Sequence, residues 1–243
     1  ARRNHLPREP YLACPEWRLM ARIVAALVSV ATSHALLLAT PRAAPGFELL
    51  SWGDARSKAR EVVSRMSRSE RRALLHGITP QCGGTACPSS YAGNTQGLAA
   101  WRVPSLKMQD AASGFRPPRD ALGTTTCFPS LLALSSTWDA ELAELYGAAV
   151  GSEFRGKGAN VLLGPAVNVH RSAWGGRNFE YLSGEDPYLG SSLTRAYIHG
   201  VHSNGVMTVA KHYAFNEQES DRFNNNAIVD ARTAWELYYP PFE

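Results

Sequence analysis

Apolar residues at Ala55, Ala59, Val62, Val63 and Met66 recur at three- and four-residue intervals, the spacing that lines one face of a helix. Ser67 and Glu70 then stand in a capping-box relation ahead of Leu74 and Leu75, and Gly77 closes the run, so the pattern predicts a helical pair. Residues 78–100 carry Gly, Ser, Thr and Cys without a period and read as a loop. Three short apolar segments follow, 105–110, 161–169 and 206–215, each predicted to be a buried strand. Ser136 and Asp139 offer a capping box for a helix in which Leu142, Leu145, Ala149, Val150 and Phe154 share a face, ended by Gly156 and Gly158. Asp186 and Pro187 supply an N-cap and a first-turn proline for a helix carrying Leu189, Leu193, Ala196, Tyr197 and Val201, with Gly205 as its stop. Asp230 opens a last helix through Trp235 and Leu237, which Pro240 and Pro241 break.

Strands alternating with helices imply a parallel α/β architecture. A doubly wound sheet and a (β/α)8 barrel both satisfy the alternation. No glycine fingerprint follows the first strand, which counts against a dinucleotide-binding sheet. A complete barrel takes roughly 250 residues. Residues 45–243 show three strands only, so the expectation is a partial (β/α)8 TIM-like barrel, the N-terminal portion of a longer domain.

Charge changes the picture only at the front of the chain. The formal net charge of the 243 residues is +4, and all of it lies before residue 45, where six arginines face Glu9 and Glu16. The neutral remainder has no electrostatic footprint for a phosphate backbone, so nucleic acid is excluded as a partner. Residues 20–44 read as a secretory signal: Arg22, an apolar run over 23–39, then small residues at Ala43 and Ala44. Ser29, Thr32, Ser33 and His34 interrupt the run, which is shorter than the about 20 apolar residues of a membrane span. Secretion is the expectation, with membrane association only if the leader is an uncleaved anchor. Residues 1–19 read as upstream leader. Cys82 and Cys87 are close enough to staple a loop in an oxidising compartment, or to remain two loop thiols; a zinc site is the weaker reading, with no second Cys or His pair at ligand spacing.

In an α/β barrel the chemistry sits at the C-terminal ends of strands. The first predicted strand ends in Asp110, the second runs into Asn168 and His170, and the third carries Lys211 and His212 in apolar surroundings. A buried lysine requires compensation. Either Asp110 or Glu180 forms a structural ion pair with Lys211, or Asp110, Arg177, Lys211 and His212 converge on a hydroxyl-rich ligand. A sugar suits such a clamp, because carboxylates accept from vicinal hydroxyls while cationic donors serve oxygen lone pairs. Arg116 is placed to hold the loop after Asp110. Asp186 reads as a helix cap, Glu180 as a brace for an arginine, and Glu217, Glu219 and Asp221 as a solvated loop. No nucleophile elbow, zinc-protease helix or phosphate loop occurs.

Several runs resemble glycoside hydrolase family three over about residues 52–243. They are Gln109-Asp-Ala-Ala-Ser-Gly-Phe-Arg116, Gly164-Pro-Ala-Val-Asn-Val-His-Arg171, Gly176-Arg-Asn-Phe-Glu-Tyr-Leu-Ser-Gly-Glu-Asp-Pro-Tyr188, Lys211-His-Tyr-Ala-Phe-Asn216 and Tyr239-Pro-Pro-Phe-Glu243. The resemblance implies a barrel followed by an α/β sandwich and a retaining, exo-acting β-glucosidase that releases terminal β-D-glucose without metal or cofactor. It assigns binding of the terminal sugar's hydroxyls to Asp110, Arg177, Lys211 and His212, with His170 and Asn178 as lesser candidates at the rim. It places the aspartate nucleophile in a Ser-Asp-Trp-like motif beyond Glu243, and the glutamate acid/base later still. The expectation is therefore that these 243 residues hold part of the sugar pocket and by themselves hydrolyse nothing. A β-xylosidase or arabinofuranosidase of the same family and a non-catalytic carbohydrate-binding remnant are the alternatives. Ala214-Phe-Asn-Glu-Gln218 after the Lys-His pair departs from the N-acetylglucosaminidase branch, and Gly184 departs from the family's usual Ser-Glu-Asp-Pro.

Overall fold

The computed structural model describes residues 50–78, 91–117 and 124–243. The leader readings for 1–44 and the Cys82–Cys87 pairing lie outside the described residues. Among the described residues no helix is long and apolar enough to cross a membrane.

The fold is α/β, with a mixed four-stranded sheet and helices. Strands β1 (Gly93–Asn94), β2 (Lys107–Asp110), β3 (Val161–Leu163) and β4 (Met207–Thr208) lie side by side in that order. β1 pairs antiparallel with β2; β2, β3 and β4 are parallel, with Asp110 opposite Leu163 and Leu162 opposite Thr208. β1 falls in the stretch that sequence periodicity assigns to loop, because two residues are too few to show a period. The three predicted strands all form but are shorter than expected. Beyond Leu163 the chain meets Pro165, which has no N–H to donate to a ladder. The parallel company continues through single bonds instead: Val209 N–H to Leu162 O at 2.9 Å, Lys211 N–H to Pro165 O at 2.9 Å, and Val167 N–H to Lys211 O at 2.8 Å.

Helix α1 (Trp52–Arg65) is capped by Ser51, and α2 (Arg68–Ala73) has the capping box foreseen at Ser67 and Glu70. A short helix unmarked by periodicity, α3 (Leu131–Ser135), precedes α4 (Ala140–Gly156). Asp139 caps α4 alone; Ser136 belongs to the end of α3, so the expected capping box is corrected to a single cap. Asp186 and Pro187 start α5 (Pro187–His202) as expected. Asp230 caps α6 (Ala231–Thr233), which continues as a wider turn over Ala234–Tyr238 and a 3-10 turn at Pro240–Phe242.

The inward face of α4 differs from the one the large apolar residues suggest. Leu142 and Leu145 are 41% and 43% exposed, while Ala143, Gly147, Ala148, Val150, Gly151 and Phe154 are buried. The reason is the neighbour. α4 packs on α5 so closely that a Cβ on Gly147 would lie 2.2 Å from Tyr197 O, and one on Gly200 2.0 Å from Glu144 O. Small residues win the interface because backbones meet there. The core between these helices and the sheet is filled by Phe154, Leu162, Leu193, Tyr197, Val201 and Val206.

Gly200→Ala forces α4 and α5 apart, and overpacking of this kind costs about 1–3 kcal/mol. Chemical denaturation should show that loss. An unchanged midpoint would mean that the two helices part freely.

Candidate sugar-binding site

Parallel strands point their carboxyl ends toward one edge of the sheet, and the polar residues at those ends share a cavity of about 750 Å³. Asp110, at the end of β2, lines it; so do Lys211 and His212, three and four residues past β4, and Arg177 from the loop after β3. All four sequence-predicted binding residues are therefore brought together.

Glu180 organises the cationic side. Only 2% exposed, it accepts from Arg177 Nε at 2.6 Å through Oε1, while Oε2 lies 3.4 Å from Lys211 Nζ. That Oε2 is buried and has no well-formed hydrogen bond, so the Lys211 charge is its one compensation among the described residues. The sequence left Asp110 and Glu180 as candidate partners for Lys211; the structure selects Glu180, which also braces Arg177 as expected. Glu219 takes Arg177 Nη1 at 3.3 Å and Arg222 Nε at 3.6 Å. Burial opposes the charge of Arg177, but the Glu180 carboxylate, with Tyr181 and Glu219, outweighs it and holds the guanidinium's pKa above its ordinary value. Asp110 accepts from Arg116 Nη1 at 3.0 Å, and Arg116 N–H donates to Asp110 O at 3.1 Å, so Arg116 does hold the loop after β2.

His212 is half-buried, and burial, with Arg177, Lys211 and Arg222 nearby, lowers its pKa to about 4. It is a neutral imidazole at neutral pH, able to donate and accept. Its position is set by the backbone: His212 N–H donates to Asn168 Oδ1 at 2.6 Å, and Asn168 Nδ2 returns a bond to His212 O at 3.1 Å. His170 and Asn178 do not line the cavity. His170 Nε2 meets Asn178 O at 2.8 Å and Asn178 Nδ2 donates to Ser172 O at 2.8 Å, so both residues brace the loop that carries Arg177.

Among the lining residues that periodicity and strand ends did not single out are Phe179, Glu219 and Arg222. Of the residues taken as solvated loop, Glu217 is buried instead, whereas Glu219 is exposed as expected and also ion-paired with Arg177. The available signal was their position directly after the strand-end Lys-His pair. Among the described residues no group of three or more His, Cys, Asp or Glu could hold a metal ion.

The cavity at the carboxyl edge of this α/β sheet gathers carboxylates, guanidinium groups and a neutral imidazole, a class of site that both donates and accepts hydrogen bonds. Comparison with known proteins makes the class specific. Residues 94–242 match the model of the glycosyl hydrolase family 3 N terminal domain, and the chain belongs to that family. A β-glucosidase of Rhizobium radiobacter is 47% identical over 143 residues, covering 58% of this chain and 17% of the relative. The thermostable β-glucosidase B of Acetivibrio thermocellus is 42% identical over 168 residues, covering 63% and 22%. The structure of Thermotoga neapolitana β-glucosidase 3B in complex with α-D-glucose superposes with a TM-score of 0.68 at 36% identity, covering 76% of this chain and 27% of that one. The chain thus spans about a fifth of the curated relatives it matches.

Removing one member of a buried ion pair strands the others. Glu180→Ala should cost about 3–5 kcal/mol of stability, whereas Arg116→Ala, which breaks an exposed pair, should cost less than about 1 kcal/mol. Equal losses in denaturant melts would contradict the central role of Glu180. The folded pKa of His212 lies below the ordinary histidine value of 6.5, so its neutral form contributes stability that is whole above pH 6.5 and is lost as pH falls through about 4. NMR titration of the ring should place the midpoint near 4; a midpoint near 6.5 would refute the burial argument.

Proposed function

We propose that this chain supplies the hydroxyl-binding wall of a retaining, exo-acting β-glucosidase that releases terminal β-D-glucose. The observation that carries the reading is the convergence of Asp110, Arg177, Lys211 and His212 on one cavity at the carboxyl ends of parallel strands. Carboxylate acceptors and cationic donors both line the cavity, which suits the two-way hydrogen bonding of vicinal hydroxyls. Family membership and relatives named β-glucosidases support the reaction class. A neighbour of similar fold, solved in complex with α-D-glucose, supports the sugar.

The cavity's own carboxylates are committed to cations: Asp110 to Arg116, Glu180 to Arg177 and Lys211, Glu219 to Arg177 and Arg222. Their work is to orient sugar oxygens. A retaining mechanism needs a nucleophilic carboxylate and an acid/base about 5–5.5 Å apart, and in this reading both come from outside residues 50–243. The sequential parallel order of β2, β3 and β4, with α4 and α5 as crossovers, supports the same sheet being the opening of a (β/α)8 barrel. The leader pattern of residues 20–44 supports secretion.

The full-length gene product should release glucose from an aryl β-glucoside, and faster than xylose from the aryl β-xyloside. Asp110→Asn and Lys211→Ala should each lower kcat/KM by about 10- to 100-fold, the worth of one hydrogen bond to a charged group. No hydrolysis, a preference for xyloside, or indifference to both substitutions would overturn the assignment.

A further inference from the structure

A second cavity, of about 320 Å³, shares no lining residue with the first. Its size falls at the lower end of small-ligand sites. At its wall stands Glu217, 6% exposed, whose Oε1 accepts from Asn168 Nδ2 at 3.0 Å. Burial raises the Glu217 pKa against the pull of Asn168 and Arg171. Arg171 lines the same space and makes no ion pair among the described residues. The rings of Phe215 and Tyr238, 5.6 Å apart and nearly perpendicular, also line it, with the amides of Gln218, Asn225 and Asn226 and the carboxylate of Asp230.

This mixture selects by chemistry. Two carboxylates, Glu217 and Asp230, and one guanidinium line the cavity, and Asp230 is already engaged as the cap of α6 through Thr233 N–H at 3.0 Å, so an anion is disfavoured. Carboxylate, guanidinium and side-chain amides together accept and donate in every direction, as a polyhydroxylated ring demands. Aromatic rings present flat apolar faces for the C–H side of a pyranose. A nearly fully buried carboxylate is costly unless its oxygens are satisfied, and Glu217 is part of the cavity's wall. We propose that this cavity is a second sugar-binding site, taking a neutral pyranose beside Glu217 and Arg171.

The inference goes beyond the first cavity and stands on different residues, but the two sites have a physical link. Asn168 donates through the same Nδ2 to Glu217 Oε1 and to His212 O, and accepts His212 N–H on Oδ1. One amide thus ties a wall of each cavity.

Hydrogen exchange of the full-length gene product, read by mass spectrometry with and without D-glucose, separates the two sites. Glucose should protect residues 224–231, at the second cavity, as well as 108–116, at the first. Arg171→Ala and Gln218→Ala should raise the glucose needed for protection of 224–231 by about tenfold and leave 108–116 unchanged. Arg171 is exposed and Gln218 half-buried, and retained protection at 108–116 shows that the variants fold. Asp110→Asn should do the reverse. If wild type protects 108–116 alone, or if Asp110→Asn abolishes protection at both segments, the second site is refuted. Protection of 224–231 alone would support it while sinking the reading of the first cavity.

Discussion

The site depends on one buried carboxylate. Glu180 is almost wholly out of water and yet bonded to Arg177 and paired with Lys211, groups supplied by segments 34 residues apart, one flanking β3 and the other following β4. Desolvating three charges is expensive, and only good geometry returns the cost. The arrangement is therefore poor evidence for stability as such. It is good evidence for placement, since a guanidinium and an ammonium both anchored to one rigid carboxylate present their remaining donors to the cavity in a fixed relation. Rigid donors lose less entropy when they bind a sugar hydroxyl. The fold around Glu180 supplies the rigidity: Tyr181 and Leu182, next in the chain, are buried, and Leu182 N–H donates to Ala166 O at 2.9 Å, holding the loop to the strand segment.

The same economy governs Asn168. It is 1% exposed, and both ends of its amide are used. A buried amide with all its partners is stable; one missing a partner would cost what an unsatisfied polar atom costs. Through it the backbone at His212 is locked, and the imidazole keeps its neutral form because three cations stand nearby and burial removes water's help. Neutrality is the useful state. A neutral imidazole can both accept and donate, and it adds no fifth positive charge to a wall that already carries Arg116, Arg177, Lys211 and Arg222.

What the sequence showed depended on where the information was stored. Strand-end polarity is local and was legible: Asp110, Arg177, Lys211 and His212 meet as expected, and the cap at Asp186 and the box at Ser67 and Glu70 are where their residues put them. The face of α4 was not legible, because Leu142 and Leu145 carry the hydrophobic signal while Gly147 and Gly151 carry the packing. Periodicity weighs side chains and is blind to a contact made by their absence. His170 and Asn178 misled for a related reason. Their polarity serves the loop's internal bonds, and nothing in residue type separates a brace from a ligand contact. Glu217 looked solvated because the sequence between Asn216 and Asn226 is polar except for Phe223, while its partner, Asn168, is more than 40 positions away.

In the proposed reading, these partnerships would let a neutral ligand fit a charged wall. Four cations and three carboxylates line the first cavity, and every carboxylate is already paired. A phosphate or carboxylate ligand would compete with Glu180 and Glu219 for Arg177, and would have to break a pair whose loss leaves a charge buried. A hydroxyl group asks for less: it accepts from an unused N–H of Arg177 or Lys211 and donates to a free lone pair of Asp110, leaving each ion pair intact. Pairing among the protein's own groups thus turns a charged surface into one that reads the direction of hydrogen bonds, and direction is what distinguishes one sugar hydroxyl from the next.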